Sequence, residues 1–151
     1  MKKLSQLSRS IAGSVAIITG AASGMGRATA HLFADEGARL AILDINGEGL
    51  EAVAGDIRAI GGEVLALTAD LSSRDAVEQA ALAAAAHFGA IDILVNNAGL
   101  VIPTTVDADN FAAAWDTSLA VMVSAQAWAI RAALPSLRRS PHPRIVNIAS
   151  T

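Results

Sequence analysis

Short apolar runs alternate along the chain with longer stretches whose apolar residues recur at helical spacing. The runs at 15–18, 40–43, 64–68, 91–95 and 144–148 read as strands, followed by Thr19, Asp44, Ala69-Asp70, Asn96 and Ala149-Ser150. Helices are predicted over 24–36, with Met25, Ala28 and Leu32 on one face, and over 47–60, with Leu50, Val53, Ile57 and Ile60. Gly37 and Gly61-Gly62 should stop these two. A third helix, capped by Ser73 or a neighbour, runs to Gly89, and a fourth covers 109–134, where Pro135 should end or kink it. Strands alternating with helices and no hairpin signals imply right-handed crossovers, hence an α/β chain with a doubly wound parallel sheet. The expected strand order is 3-2-1-4-5, and residues 1–12 are expected to be a flexible leader.

Composition narrows the picture. The 151 residues suit one domain and include no internal repeat. They are 53% hydrophobic but only 3% aromatic, so the core must be built from Ala, Val, Leu and Ile, which suits helices lying flat on a sheet. A formal charge of −3 offers no basic field to nucleic acid or an anionic membrane, and neither partner is expected. Without cysteine there is no disulfide framework or thiolate metal site, so a cytoplasmic location is expected. Lys2, Lys3 and Arg9 precede an apolar stretch, but it breaks at Gly13 and Ser14, too early for a signal peptide. The apolar region 119–134 carries Ser124, Gln126 and Arg131 and reads as a buried helix rather than a membrane span. His31, His87 and His142 are scattered, read as surface or packing residues, and no metal site is expected.

The candidate chemistry starts at SVAIITGAASGMGR, residues 14–27. A buried strand delivers the chain into a glycine turn, and a helix begins behind it. Glycine lets the turn take positive φ and lets backbone approach a ligand. The free N–H groups of the helix's first turn then suit a diphosphate. No Lys-Ser or Lys-Thr follows, so this is not a P-loop. The competing reading is a turn whose glycines serve only tight packing. The spacing is T-G-x-x-x-G-x-G, from Thr19 to Gly26, and in that form the stretch resembles the nucleotide loop of the short-chain dehydrogenases/reductases. Gly20, Ser23, Gly24, Met25 and Gly26 are the loop's candidate cofactor residues.

Asp44 closes the second run at the interval beyond Gly26 where a dinucleotide fold places a carboxylate on the adenosine ribose. Such a carboxylate repels a 2′-phosphate, and neither Ile45 nor Ser23 supplies a compensating charge, so NAD is expected over NADP. The resemblance implies that Asp70 contacts the adenine edge with Leu71 assisting, although Asp70 reads equally well as a helix-start acid before Ser72 and Ser73. Asn96-Asn97-Ala98-Gly99 follows the fourth strand as a turn whose amides can brace neighbouring strands. It resembles the family's NNAG signature, which implies that Asn96, Ala98 and Gly99 line the cofactor.

The resemblance extends from Ile11 to Thr151 and implies a Rossmann-type sheet, residues 13–151 forming a dinucleotide-binding domain without the family's later strands. Residues 145–150, IVNIAS, resemble the family's fifth strand and put Ser150 at the place of the serine that orients the substrate carbonyl. The family's proton-exchanging tyrosine and its lysine partner lie downstream of that serine. No tyrosine is present here, so residues 1–151 alone are expected to be inactive. Val121-Met122 stands where the family has Val-Asn, which implies an altered proton relay or a local rearrangement. The implied function is NAD-dependent hydride transfer with a small alcohol or carbonyl substrate, in a homo-oligomer (dimer or tetramer) built on the long helix. Val101, Ile102 and Pro103 would edge the substrate pocket. The alternatives are a non-catalytic nucleotide-binding or regulatory module ending at Thr151, and a methyltransferase, in which NNAG has no role.

Overall fold

The computed structural model describes residues 10–149. Five strands, β1 (Val15–Thr19), β2 (Arg39–Asp44), β3 (Val64–Thr68), β4 (Ile93–Asn96) and β5 (Arg144–Asn147), form one sheet in the order β3-β2-β1-β4-β5. Every pairing is parallel, so each connection must cross the sheet. The crossings are α1 (Gly24–Asp35), α2 (Gly47–Ala59), α3 (Arg74–Phe88) and a composite helix made of α4 (Phe111–Leu119), a π-helical turn (Ala120–Ser124) and α5 (Ala125–Leu137). Both the expected sheet and its strand order are found.

Alternation along β1 divides the core. Val15 and Ile17 join Ala41, Leu43 and Leu94 beneath α3 and α5, whereas Ala16 and Ile18 join Leu40, Ile42, Ile93 and Val95 beneath α1 and α2. Apolar layers on both faces are why these strands read as unbroken hydrophobic runs. Burying a side chain such as Ile17 stabilises the fold by about 1.5–3 kcal/mol. Side-chain caps fix the starts of two helices: Asn46 Oδ1 accepts from the Gly49 amide at 3.1 Å, and Ser73 Oγ from the Ala76 amide at 3.4 Å.

Four expectations need correction. Met25, Ala28 and Leu32 do not face the core. Met25 and Leu32 are 65% and 57% exposed, and α1 buries Gly26, Ala30 and Ala34 instead, because only small residues let its backbone lie close on β1 and β2. Ile60 is exposed and caps α2 rather than packing with Leu50, Val53 and Ile57. Pro135 does not end its helix, which continues to Leu137. The carbonyl that loses its partner there belongs to the exposed Arg131, where water can satisfy it, and the irregular turn lies earlier, at Ala120–Ser124. The long helix is buried along one stripe only, through Ala125, Ala129, Ala133 and Leu137, while Trp115, Leu119 and Val123 are exposed. By length and composition these 27 residues could cross a membrane, but the alanine stripe packs against α3 and the sheet. Of the expected 1–12 leader, residues 1–9 lie outside the described residues, and Ile11 packs against the α1–α2 core layer.

Candidate functional site

β1 has β2 on one side and β4 on the other, so the chain winds in opposite directions from its C-terminal end, and a crevice opens there. Gly20 leaves β1 with φ +69° and Gly24 enters α1 with φ +52°, values that L side chains rarely adopt. Gly26 serves differently. A Cβ there would run into the Gly20 carbonyl and come within 2.6 Å of Asn97 Nδ2, so this glycine permits contact between loop, helix and the β4 turn. Ser23 precedes α1 in extended conformation without a side-chain cap, and the first turn carries no acid. The amides there are therefore open to an anionic group.

The turn after β4 is fastened to this loop. Buried Thr19 accepts from the amides of Asn97 and Ala98 through Oγ1, both at 3.0 Å. Asn97 Nδ2 donates back to the carbonyls of Thr19 (3.0 Å) and Gly20 (3.3 Å). Asn96 turns the other way, its Nδ2 donating to Asn147 Oδ1 at 2.8 Å and tying β4 to β5. The bracing amides expected from the NNAG turn are thus present.

Asp44 is fixed at the rim. Its Oδ2 accepts from the Ala22 amide (3.0 Å) and its Oδ1 from the Asn46 amide (2.9 Å), which leaves lone pairs on both oxygens for further donors. Asp70 binds locally: its Oδ1 accepts from the Ser72 hydroxyl (2.7 Å) and amide (2.9 Å). The Ser72 hydroxyl, then its amide, hold the Asp70 carboxyl below the usual carboxylate range. Ser73, not Asp70, caps α3, so the helix-start alternative for Asp70 reduces to this turn with Ser72.

These groups surround a cleft of about 600 Å³. One wall is Gly20, Ser23, Gly24 and Met25, the rim is Asp44 and Ile45, and Asp70 and Leu71 stand on the β3 side with Ala98 and Gly99 opposite. Two of the sequence-derived residues are not on its walls. Gly26 is buried beneath the loop, and Asn96 faces a small void of about 10 Å³ behind the cleft. Ser150 lies outside the described residues, which end one position before it. Sequence reasoning missed Ala69, Ser72, Asn97, Leu100, Thr117 and Val121. Asn97 was signalled by its place in the NNAG turn, but Thr117 and Val121 come from the long helix and carry no local motif. Met122, in the π turn, is 38% exposed and puts its Sδ 4.0 Å from where a Cβ on Gly99 would stand. Among the described residues no group of His, Asp and Glu is arranged to hold a metal.

The comparisons agree with this geometry. Residues 14–151 match the family model for short chain dehydrogenase. The chain is 39% identical over 140 residues to 2,5-dichloro-2,5-cyclohexadiene-1,4-diol dehydrogenase LinX of Sphingobium indicum, covering 93% of this chain and 56% of that protein. It is 39% identical over 139 residues to D-threitol dehydrogenase of Mycolicibacterium smegmatis, covering 91% and 53%. Among solved structures, a metagenomic short-chain oxidoreductase in complex with NADP superposes with a TM-score of 0.87 at 36% identity, over 94% of this chain and 63% of that one. A short chain dehydrogenase/reductase from Burkholderia phymatum in complex with NAD gives 0.85 at 34%, over 93% and 50%. The chain spans about half the length of the curated relatives it matches.

Proposed function

The chain belongs to the short-chain dehydrogenase family, and from that premise we propose that it is the cofactor-binding part of an NAD-dependent oxidoreductase that interconverts a small alcohol and its carbonyl. The observation that carries this reading is the pairing of an uncapped glycine loop with a fixed carboxylate on one cleft. The residues fit a nicotinamide dinucleotide: the loop backbone at Gly20, Ser23 and Gly24 for a diphosphate, with Gly26 holding loop and helix together beneath it, Asp44 for ribose hydroxyls, and Asp70 with Leu71 for the adenine edge. When bound, the cofactor supplies the hydride acceptor or donor. The chain's own part is to neutralise the diphosphate with backbone amides, orient the adenosine half through Asp44 and back the cleft with Ala98 and Gly99.

NAD is preferred because the Asp44 oxygens, aimed by the Ala22 and Asn46 amides, accept hydroxyls and repel a 2′-phosphate, and among the described residues no cation lines the cleft. Ser150 orients the substrate carbonyl. A tyrosine outside residues 1–151 exchanges the proton, with a lysine that holds the nicotinamide ribose and lowers the tyrosine's pKa, so these residues alone bind nucleotide without turning over substrate. The protein works as a cytoplasmic homo-oligomer. The family match through residue 151 supports the oxidoreductase over a purely regulatory module.

Calorimetry on Asp44→Ala tests the assignment. NAD affinity should fall about tenfold, the scale of losing hydrogen bonds to a charged group, while NADP affinity holds or rises. An equal loss for both dinucleotides would remove Asp44 as the selector.

A further inference from the structure

Met25 is a large apolar side chain that α1 leaves mostly in the open. α1 buries Gly26, Ala30 and Ala34, so the residue beside Gly26 is turned out from the sheet, 65% exposed, onto the cleft wall next to Gly20, Ser23 and Gly24. A thioether in that position is open to oxidants as well as to ligand. We infer that Met25 is a site of reversible oxidation through which hydroperoxides close the nucleotide cleft. The inference rests on the dinucleotide reading above.

The step balances. The Met25 sulfur takes the distal oxygen of the hydroperoxide as the O–O bond breaks. Sulfur is oxidised by two electrons to the sulfoxide, and the departing hydroxide or alkoxide takes a proton to become water or alcohol. The product carries a strong dipole with its negative end on oxygen, set beside amides that serve an anionic diphosphate. A sulfoxide oxygen there repels the ligand and competes for the same donors. Bound dinucleotide covers the sulfur in turn, so occupancy and oxidation exclude one another. Met122 is the internal control, being 38% exposed on a different element.

The test treats the full-length protein with hydrogen peroxide, with and without saturating NAD, and reads sulfoxide at each methionine by peptide mass spectrometry. NAD affinity is then measured by calorimetry. Met25 should oxidise ahead of Met122, NAD should slow Met25 more than Met122, and oxidised protein should bind NAD about tenfold more weakly. Methionine sulfoxide reductase should restore the affinity. In Met25→Leu the ratio of affinities before and after peroxide should stay near one, whatever the starting affinity, and Met122→Leu should keep the wild-type loss. An untouched Met25, or a loss persisting in Met25→Leu, overturns the inference while leaving the dinucleotide reading intact. Failure of untreated protein to bind NAD would instead count against that reading itself.

Discussion

α1 and the Phe111–Leu137 helix are both rich in apolar residues, yet they meet the sheet in different ways. α1 presents its smallest residues, Gly26, Ala30 and Ala34, and turns Met25 and Leu32 outward. Its height over β1 is set by backbone contact at Gly26, and its first turn is left open to the cleft. The long helix buries mainly alanines, Ala114 in its first half and Ala125, Ala129 and Ala133 in its second, passes through a π turn and leaves Trp115, Leu119 and Val123 exposed. The difference teaches that apolar content does not say which side of a helix is the inner one. Where a helix must deliver its N-terminus to a ligand, steric closeness chooses the inner face, and hydrophobicity follows.

The sharpest way to break this contrast is Gly26→Val. Its side chain would meet the Gly20 carbonyl and the Asn97 amide, so chemical denaturation should show a loss of about 3 kcal/mol, the upper range for overpacking, with NAD binding abolished. A well-folded variant that still binds would mean that α1 does not lie where the close contact puts it. Next is Thr19→Val, which keeps the shape but strands the amides of Asn97 and Ala98, and should cost about 2 kcal/mol by the same assay. Least disruptive is Trp115→Ser on the long helix, whose unfolding free energy should move by no more than about 0.5 kcal/mol in dilute protein. A larger loss there would show that the outer face of that helix is packed after all.

How far the sequence reveals this depends on how local the cause is. The β1 turn, the left-handed stop at Gly37, the helix end at Gly89 and the strand order were all legible, since each follows from a short pattern or from strands alternating with helices. The burial of Gly26, Ala30 and Ala34 was not, because hydrophobic periodicity weights large residues and the sheet here selected small ones. That the helix runs on past Pro135 was not legible for a similar reason: whether water reaches the carbonyl a proline orphans is a property of the surface and not of the residue. In the cleft, Gly20, Asp44 and Ala98 were legible from motifs. Thr117 and Val121 were not, since the chain brings them there from a distant helix.

The most direct measurement is an NAD titration of isotopically labelled protein followed through its backbone amide resonances. The account predicts saturable shifts concentrated at Gly20–Met25, Asp44–Ile45, Asp70–Leu71 and Ala98–Gly99, with Gly61 and Leu134 unmoved. Shifts that spare the Gly20–Met25 amides, or none up to millimolar NAD, would contradict it.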